Sequence, residues 1–180
     1  MPTLEELQHQ VKQIEERYGK ELDTFGTKKE FKYLPESLYD DETIKFLTSG
    51  FLENNTWMIV CTNKRILALD KGMVFGLKQQ EIPLDKISSV SFKKKIMYGE
   101  IQIVTSSSEI KIENIFKDQV ELFVKAINEA QEDANNTNNQ TQAVQQDDTV
   151  SQIEKLAKLK DDGILTEEEF TAKKKQLLGI

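Results

Sequence analysis

Cysteine occurs once, at Cys61, which rules out an internal disulfide framework and fits a reducing, cytoplasmic setting. Histidine also occurs once, at His9, so no second imidazole is on hand to help hold zinc. Long apolar runs are missing. No stretch has the length and flanks of a secretory signal, and none nears the ~20 residues of a membrane span. The sequons at Asn54, Asn135 and Asn139 therefore read as coincidences of polar sequence. No glycine-rich phosphate loop, dinucleotide fingerprint or nucleophile elbow is found among the 8 glycines. The expectation is a non-enzymatic chain that needs no cofactor.

An excess of positive charge is also lacking. The formal net charge is −7, and residues 28–130 carry 15 basic and 15 acidic groups. Binding to nucleic acid rests on neutralising phosphates, and this balance offers no basic face for it. Hydrophobic residues make up 38% and charged residues 31% of the chain, so most of it has the means to fold.

Residues 1–26 open with a helical pattern. Thr3 and Glu6 form a capping-box pair, and Leu4, Leu7, Val11, Ile14 and Tyr18 recur at alternating spacings of three and four. That stripe packs either on the neighbouring domain or on a second copy. From residue 27 to about 45 a short helical lead-in gathers around Leu34, Leu38 and Ile44.

The period then shifts to that of strands. Trp57–Thr62 and Arg65–Asp70 flank a turn at Asn63-Lys64, and Leu77–Leu84, Ile87–Phe92, Glu100–Thr105 and Glu109–Ile115 follow. Trp57, Phe51, Met58 and Phe75 form either an exposed recognition patch or core, with core favoured for Trp57, whereas Met73-Val74-Phe75, set between Gly72 and Gly76, reads as an exposed loop tip and a candidate contact. Phe116, Val120, Phe123, Val124 and Ile127 then mark one face of a helix over about 117–131. Six or seven strands closed by one helix point to an antiparallel barrel or sandwich, an α+β fold.

This arrangement, with Glu42-Thr43-Ile44, Thr62-Asn63-Lys64-Arg65-Ile66, Ile82-Pro83-Leu84-Asp85-Lys86-Ile87 and Tyr98-Gly99-Glu100-Ile101, resembles bacterial PH-domain proteins of the YokE type. The resemblance implies a PH-like domain over 27–130 and little about activity. Residues 131–149 hold four acids and no base among Gln, Asn and Thr, the composition of a flexible polar linker. Residues 150–180 then resemble the short C-terminal (SHOCT) domain. The carrying residues are Leu156, Leu159, Asp162-Gly163-Ile164-Leu165-Thr166, Glu168-Glu169-Phe170 and Leu177-Leu178. The pairing of domains resembles proteins carried by phages and prophages of Gram-positive bacteria, which implies a host-modulating role.

Two groups of residues are candidates for contact. Ile153, Leu156, Leu159, Phe170, Leu177 and Leu178 are more apolar residues than two short helices hide, so the hairpin is expected to dock, with another copy as the favoured surface. Lys93, Lys94 and Lys95 are the one basic cluster, either a solvated turn or a contact to anionic lipid. Asp162, Gly163 and Glu169 mimic part of a calcium loop, but that register places Lys158 and Lys160 where oxygen ligands belong. The functional expectation is a protein that binds protein and self-associates through its tail or N-terminal helix, with a peripheral membrane module as the alternative.

Overall fold

A computed structural model describes residues 2–72, 76–161 and 166–178, with side chains left out of the description at 137–155, 159, 161 and 176–178. The chain divides into two units, Met1–Ala134 and Asn135–Ile180.

In the first unit, α1 (Leu4–Tyr18) starts at the Thr3–Glu6 capping box, with both reciprocal bonds made, and stops at Gly19 in the left-handed conformation. Leu7 and Ile14 are buried in the core, so the heptad stripe is used inside the chain, where α1 packs against the first strand. Helix α2 (Lys28–Ser37) holds Pro35 in its last turn and buries Leu34.

Seven strands follow: β1 (Ile44–Leu52), β2 (Asn55–Thr62), β3 (Arg65–Lys71), β4 (Leu77–Pro83), β5 (Ile87–Lys94), β6 (Tyr98–Thr105) and β7 (Glu109–Phe116). They form one antiparallel sheet in the order β4-β3-β2-β1-β7-β6-β5. The sheet is open, because β4 and β5 end it and are joined only through the 3₁₀ turn Leu84–Lys86. β1 was not legible as a strand in the sequence. It is buried along nearly its whole length, so its side chains do not alternate between polar and apolar. Gly50 on β1 is required by close packing, since a Cβ there would meet Ile112 Cγ2 at 2.6 Å. β1 and β2 are joined by Glu53 and Asn54, both at positive φ, as a two-residue hairpin turn requires.

Helix α3 (Lys117–Asp161) begins directly after β7. Val120, Phe123, Val124, Ile127 and Ala130 are buried, and Phe46 meets both Tyr18 and Phe123 edge to face. Phe116 does not join that face; it ends β7 and is exposed. Gln131 Nε2 donates to the carbonyls of Leu84 (2.9 Å) and Ile87 (3.3 Å), tying α3 to the junction of the two edge strands.

In the second unit the backbone of α3 is helical through the tract read as a polar linker. A helical backbone needs only its own i→i−4 bonds, and that is what apolar periodicity does not reveal. α4 (Glu167–Leu178) is capped as the sequence indicates: Thr166 N–H donates to Glu169 Oε2 (3.0 Å) and Glu169 N–H to Thr166 Oγ1 (3.3 Å).

Candidate interaction surfaces

The end of the sheet at the β5–β6 turn is where apolar side chains meet water. Lys95 N–H bonds to the Tyr98 carbonyl at 2.7 Å, which leaves Ile96 and Met97 at the centre of a four-residue turn. No strand lies beyond them to pack against, so Ile96 is 93% and Met97 61% exposed. Lys117 N–H, at the start of α3, holds the Met97 carbonyl at 3.1 Å and fixes the turn to the helix. Behind the turn, Tyr98 and Phe116 stack with ring centroids 5.1 Å apart. Phe25, 81% exposed, stands beside them. Its loop is set by Asp23, whose carboxylate accepts from the Phe25 N–H and from Ser49 Oγ.

Two clefts share Phe116. One, about 390 Å³, lies between Ile96, Met97 and the start of α3. The other, about 340 Å³, is walled by Phe25, Phe51, Tyr98 and Phe116. Apolar side chains gathered at one exposed end of a sheet mark a candidate contact surface. Sequence reasoning missed this surface. The signal was Ile96-Met97 directly after three lysines, at the point where the flanking strands demand a turn.

Lys93 and Lys94 end β5 and Lys95 begins the turn. Lys94 is bound to Glu121, and Lys95 pairs with Glu100 at 3.0 Å. The lysine hydrogen bonds hold both carboxyls below the usual carboxylate range. Lys20 pairs with Asp118 at 3.1 Å on the same end. At this end Lys20, Lys94 and Lys95 are thus matched by carboxylates, and Lys93, Lys117 and Glu21 are further charges of mixed sign.

The one deeply buried ion pair among the described residues lies elsewhere. Arg65, at the start of β3, binds both oxygens of Glu42, at 2.8 and 2.9 Å, and also donates to the Ser37 carbonyl and to Glu81. Thr62 Oγ1 and the Tyr39 N–H complete the donors around Glu42, and the Tyr39 ring lies 4.0 Å from the guanidinium. Burial works against the Glu42 charge, yet these hydrogen bonds and the guanidinium prevail and hold its carboxyl below the usual range. The motifs around Glu42 and Arg65, separate in sequence, are two halves of one clasp. Every group in it is engaged, so it is structural.

Cys61 is fully buried in β2, and burial pushes its thiol up to about 12, far from a reactive thiolate. His9 is exposed on α1. Trp57 and Met58 are core and Phe51 is half-buried; Met73, Val74 and Phe75 lie outside the described residues. Among the described residues no group of three or more His, Cys, Asp or Glu is placed to hold a metal, and no helix is long and apolar enough to cross a membrane.

In the tail, Leu156 and Phe170 are half-buried, and the side chains of Ile153, Leu159, Leu177 and Leu178 lie outside the described residues. Phe170 sits between the ammonium groups of Lys160 (5.3 Å) and Lys174 (6.0 Å). Asp162 and Gly163 of the calcium-like fragment are likewise outside the description, and Glu169 is occupied by its cap.

A family model described as the bacterial PH domain matches residues 38–129, just over half of the chain. A second, the short C-terminal domain, matches residues 151–178. No curated protein matches the chain. Among solved structures, a DUF1696-family protein with a pleckstrin-homology domain from Shewanella loihica is similar at 18% identity and a TM-score of 0.42, covering 57% of this chain and 91% of its own. A pleckstrin homology domain from Shewanella amazonensis is similar at 21% identity and a TM-score of 0.33, covering 48% and 80%.

Proposed function

The chain belongs to the bacterial PH domain family, and from that premise we propose that it is a non-catalytic, cytoplasmic interaction protein that self-associates. The observation that carries this reading is the exposed apolar end of the sheet, with Ile96, Met97 and Phe25 turned to water. The SHOCT hairpin supplies the second contact. Joining two contacts through a polar tract raises the effective concentration of the second once the first is made. Phage or prophage carriage, the YokE-like subtype and a host-modulating role complete the proposal, on the resemblance of the domain pair alone.

The test is light scattering on the full chain and on a Phe170→Ala/Leu177→Ala variant. The variant is expected to have the lower molar mass, with its β-sheet signal by circular dichroism unchanged. Equal masses would remove tail-driven assembly from the proposal.

The alternative is a peripheral membrane module in which Lys93–Lys95 meet anionic lipid around an inserted Ile96-Met97. The apolar turn favours it. Against it stand the carboxylates of Glu121, Glu100 and Asp118, which already hold Lys94, Lys95 and Lys20. A surface lysine contributes about 1 kcal/mol at such a membrane, and only where its charge is not already matched. We expect no appreciable co-sedimentation with phosphatidylserine vesicles at physiological salt, and binding that depends on Lys93–Lys95 would put the alternative first.

A further inference from the structure

We propose that the β5–β6 end of the PH-like domain is a docking surface for the same surface of a second copy, separate from any contact made by the tail. Two features of that surface point to a copy rather than to a lipid or a charged polymer.

The first is shape. The surface carries both a knob and a hole. Ile96 projects from the turn 93% exposed, and the cleft of about 340 Å³, which shares Phe116 with the cleft under the turn, sets the rings of Phe25, Phe51, Tyr98 and Phe116 among the polar Asp23, Ser49, Thr56 and Asn114. A two-fold contact needs this combination, because residue i of one copy must meet residue j of the other while j meets i. Seating Ile96 and Met97 of each copy against the four rings of the other's cleft covers both apolar features at once.

The second is charge. Lys20–Asp118 and Lys94–Glu121 flank the apolar centre as matched pairs, and Glu21 and Lys117 line the neighbouring cleft. A rim of mixed sign meets its own two-fold image without net repulsion, whereas an anionic membrane needs a cationic excess. An apolar, aromatic centre inside a polar rim is also the usual anatomy of a protein–protein interface.

The contact goes beyond the proposed tail assembly, and the two are separable by experiment. Four full-length chains are compared by sedimentation over a range of concentrations: wild type, Ile96→Asp/Met97→Asp, Phe170→Ala/Leu177→Ala, and the combination. Ile96 and Met97 lie outside the core, so the aspartates do not threaten folding, and circular dichroism checks this. The turn variant is expected to weaken one association step by at least ~100-fold, since the two-fold contact loses four buried apolar side chains, two from each copy. In the tail variant that step persists. If the turn variant associates as wild type does, or the tail variant is monomeric throughout, the proposal is overturned, whatever becomes of the tail.

A second measurement tests the geometry. Chains bearing Ile96→Cys and chains bearing Phe25→Cys are mixed under a mild oxidant, with buried Cys61 as a silent background. The mixture is expected to form linked dimers faster than either chain alone. Linkage at the rate of the unmixed chains would reject the knob-in-cleft arrangement.

Discussion

The PH-like unit and the tail solve the same problem by different means. Residues 1–134 bury a continuous apolar core and hold a charged pair inside it, with Arg65 bound to both oxygens of Glu42 and further donors around that carboxylate. The tail holds the C-terminal part of α3 and the short α4, and shows local devices, a capping box at Thr166 and lysines flanking Phe170. A hairpin of this size buries too little surface for independent stability. The contrast teaches where to look for function: in a unit with a complete core, the apolar residues left outside it are the informative ones.

The largest expected effect is to sever the two. A helix without an apolar face is held by little beyond its own backbone bonds, so subtilisin at low dose is expected to cut first within 135–149. Mass spectrometry should find a resistant fragment ending near Ala134; a first cut inside 1–130 would erase the contrast. Trypsin is unsuitable, because no Lys or Arg lies between Lys125 and Lys155.

Next is the clasp. Arg65→Ala leaves Glu42 charged and buried, which costs about 3–5 kcal/mol and should show as a lower urea midpoint for the β unit. Acid acts on the same pair. The Glu42 carboxyl is held below its unfolded range, so its contribution is present above that range and is lost as the pH falls through the folded value. The wild type is therefore expected to lose stability below the ordinary glutamate range, and Glu42→Gln to show a flatter acid limb. Parallel acid limbs in urea titrations would assign the loss to other carboxylates.

Much of this was legible beforehand, for identifiable reasons. Strands covered on one face announced themselves by alternation, as at Ile101 and Ile103 or Ile110 and Ile112. β1 did not, because Thr48, Ser49 and Gly50 are polar or small and yet buried between β2 and β7. The capping boxes at Thr3 and Thr166 are local, so the sequence shows them directly. The clasp was half legible: both motifs stood out, but their meeting depends on how the chain between Ser37 and Glu42 crosses the start of β3. The apolar end was hidden for a different reason. Exposure depends on what fails to pack, and an apolar pair between two strands looks the same in sequence whether buried or bare.

The smallest expected effect is also the closest comparison, because the same cap occurs once in each unit. Thr3→Ala and Thr166→Ala each remove one hydroxyl acceptor and cost about 1 kcal/mol. The consequences should differ. α1 is fastened to the core by Leu7 and Ile14, so Thr3→Ala spreads its cost over the whole unit and lowers its Tm by a few degrees. Cys61 reports on that unit alone, being the chain's single cysteine and buried there with its thiol pushed up to about 12. A thiol reagent reaches it only on opening, and 1 kcal/mol should raise its labelling rate about fivefold. Thr166→Ala should leave that rate at the wild-type value and instead reduce helix content in the tail, where a lost cap is a large share of what holds α4. If Thr166→Ala were to accelerate Cys61 labelling as Thr3→Ala does, the two units would be one cooperative structure, and the division at Ala134 would mark a change of composition rather than of stability.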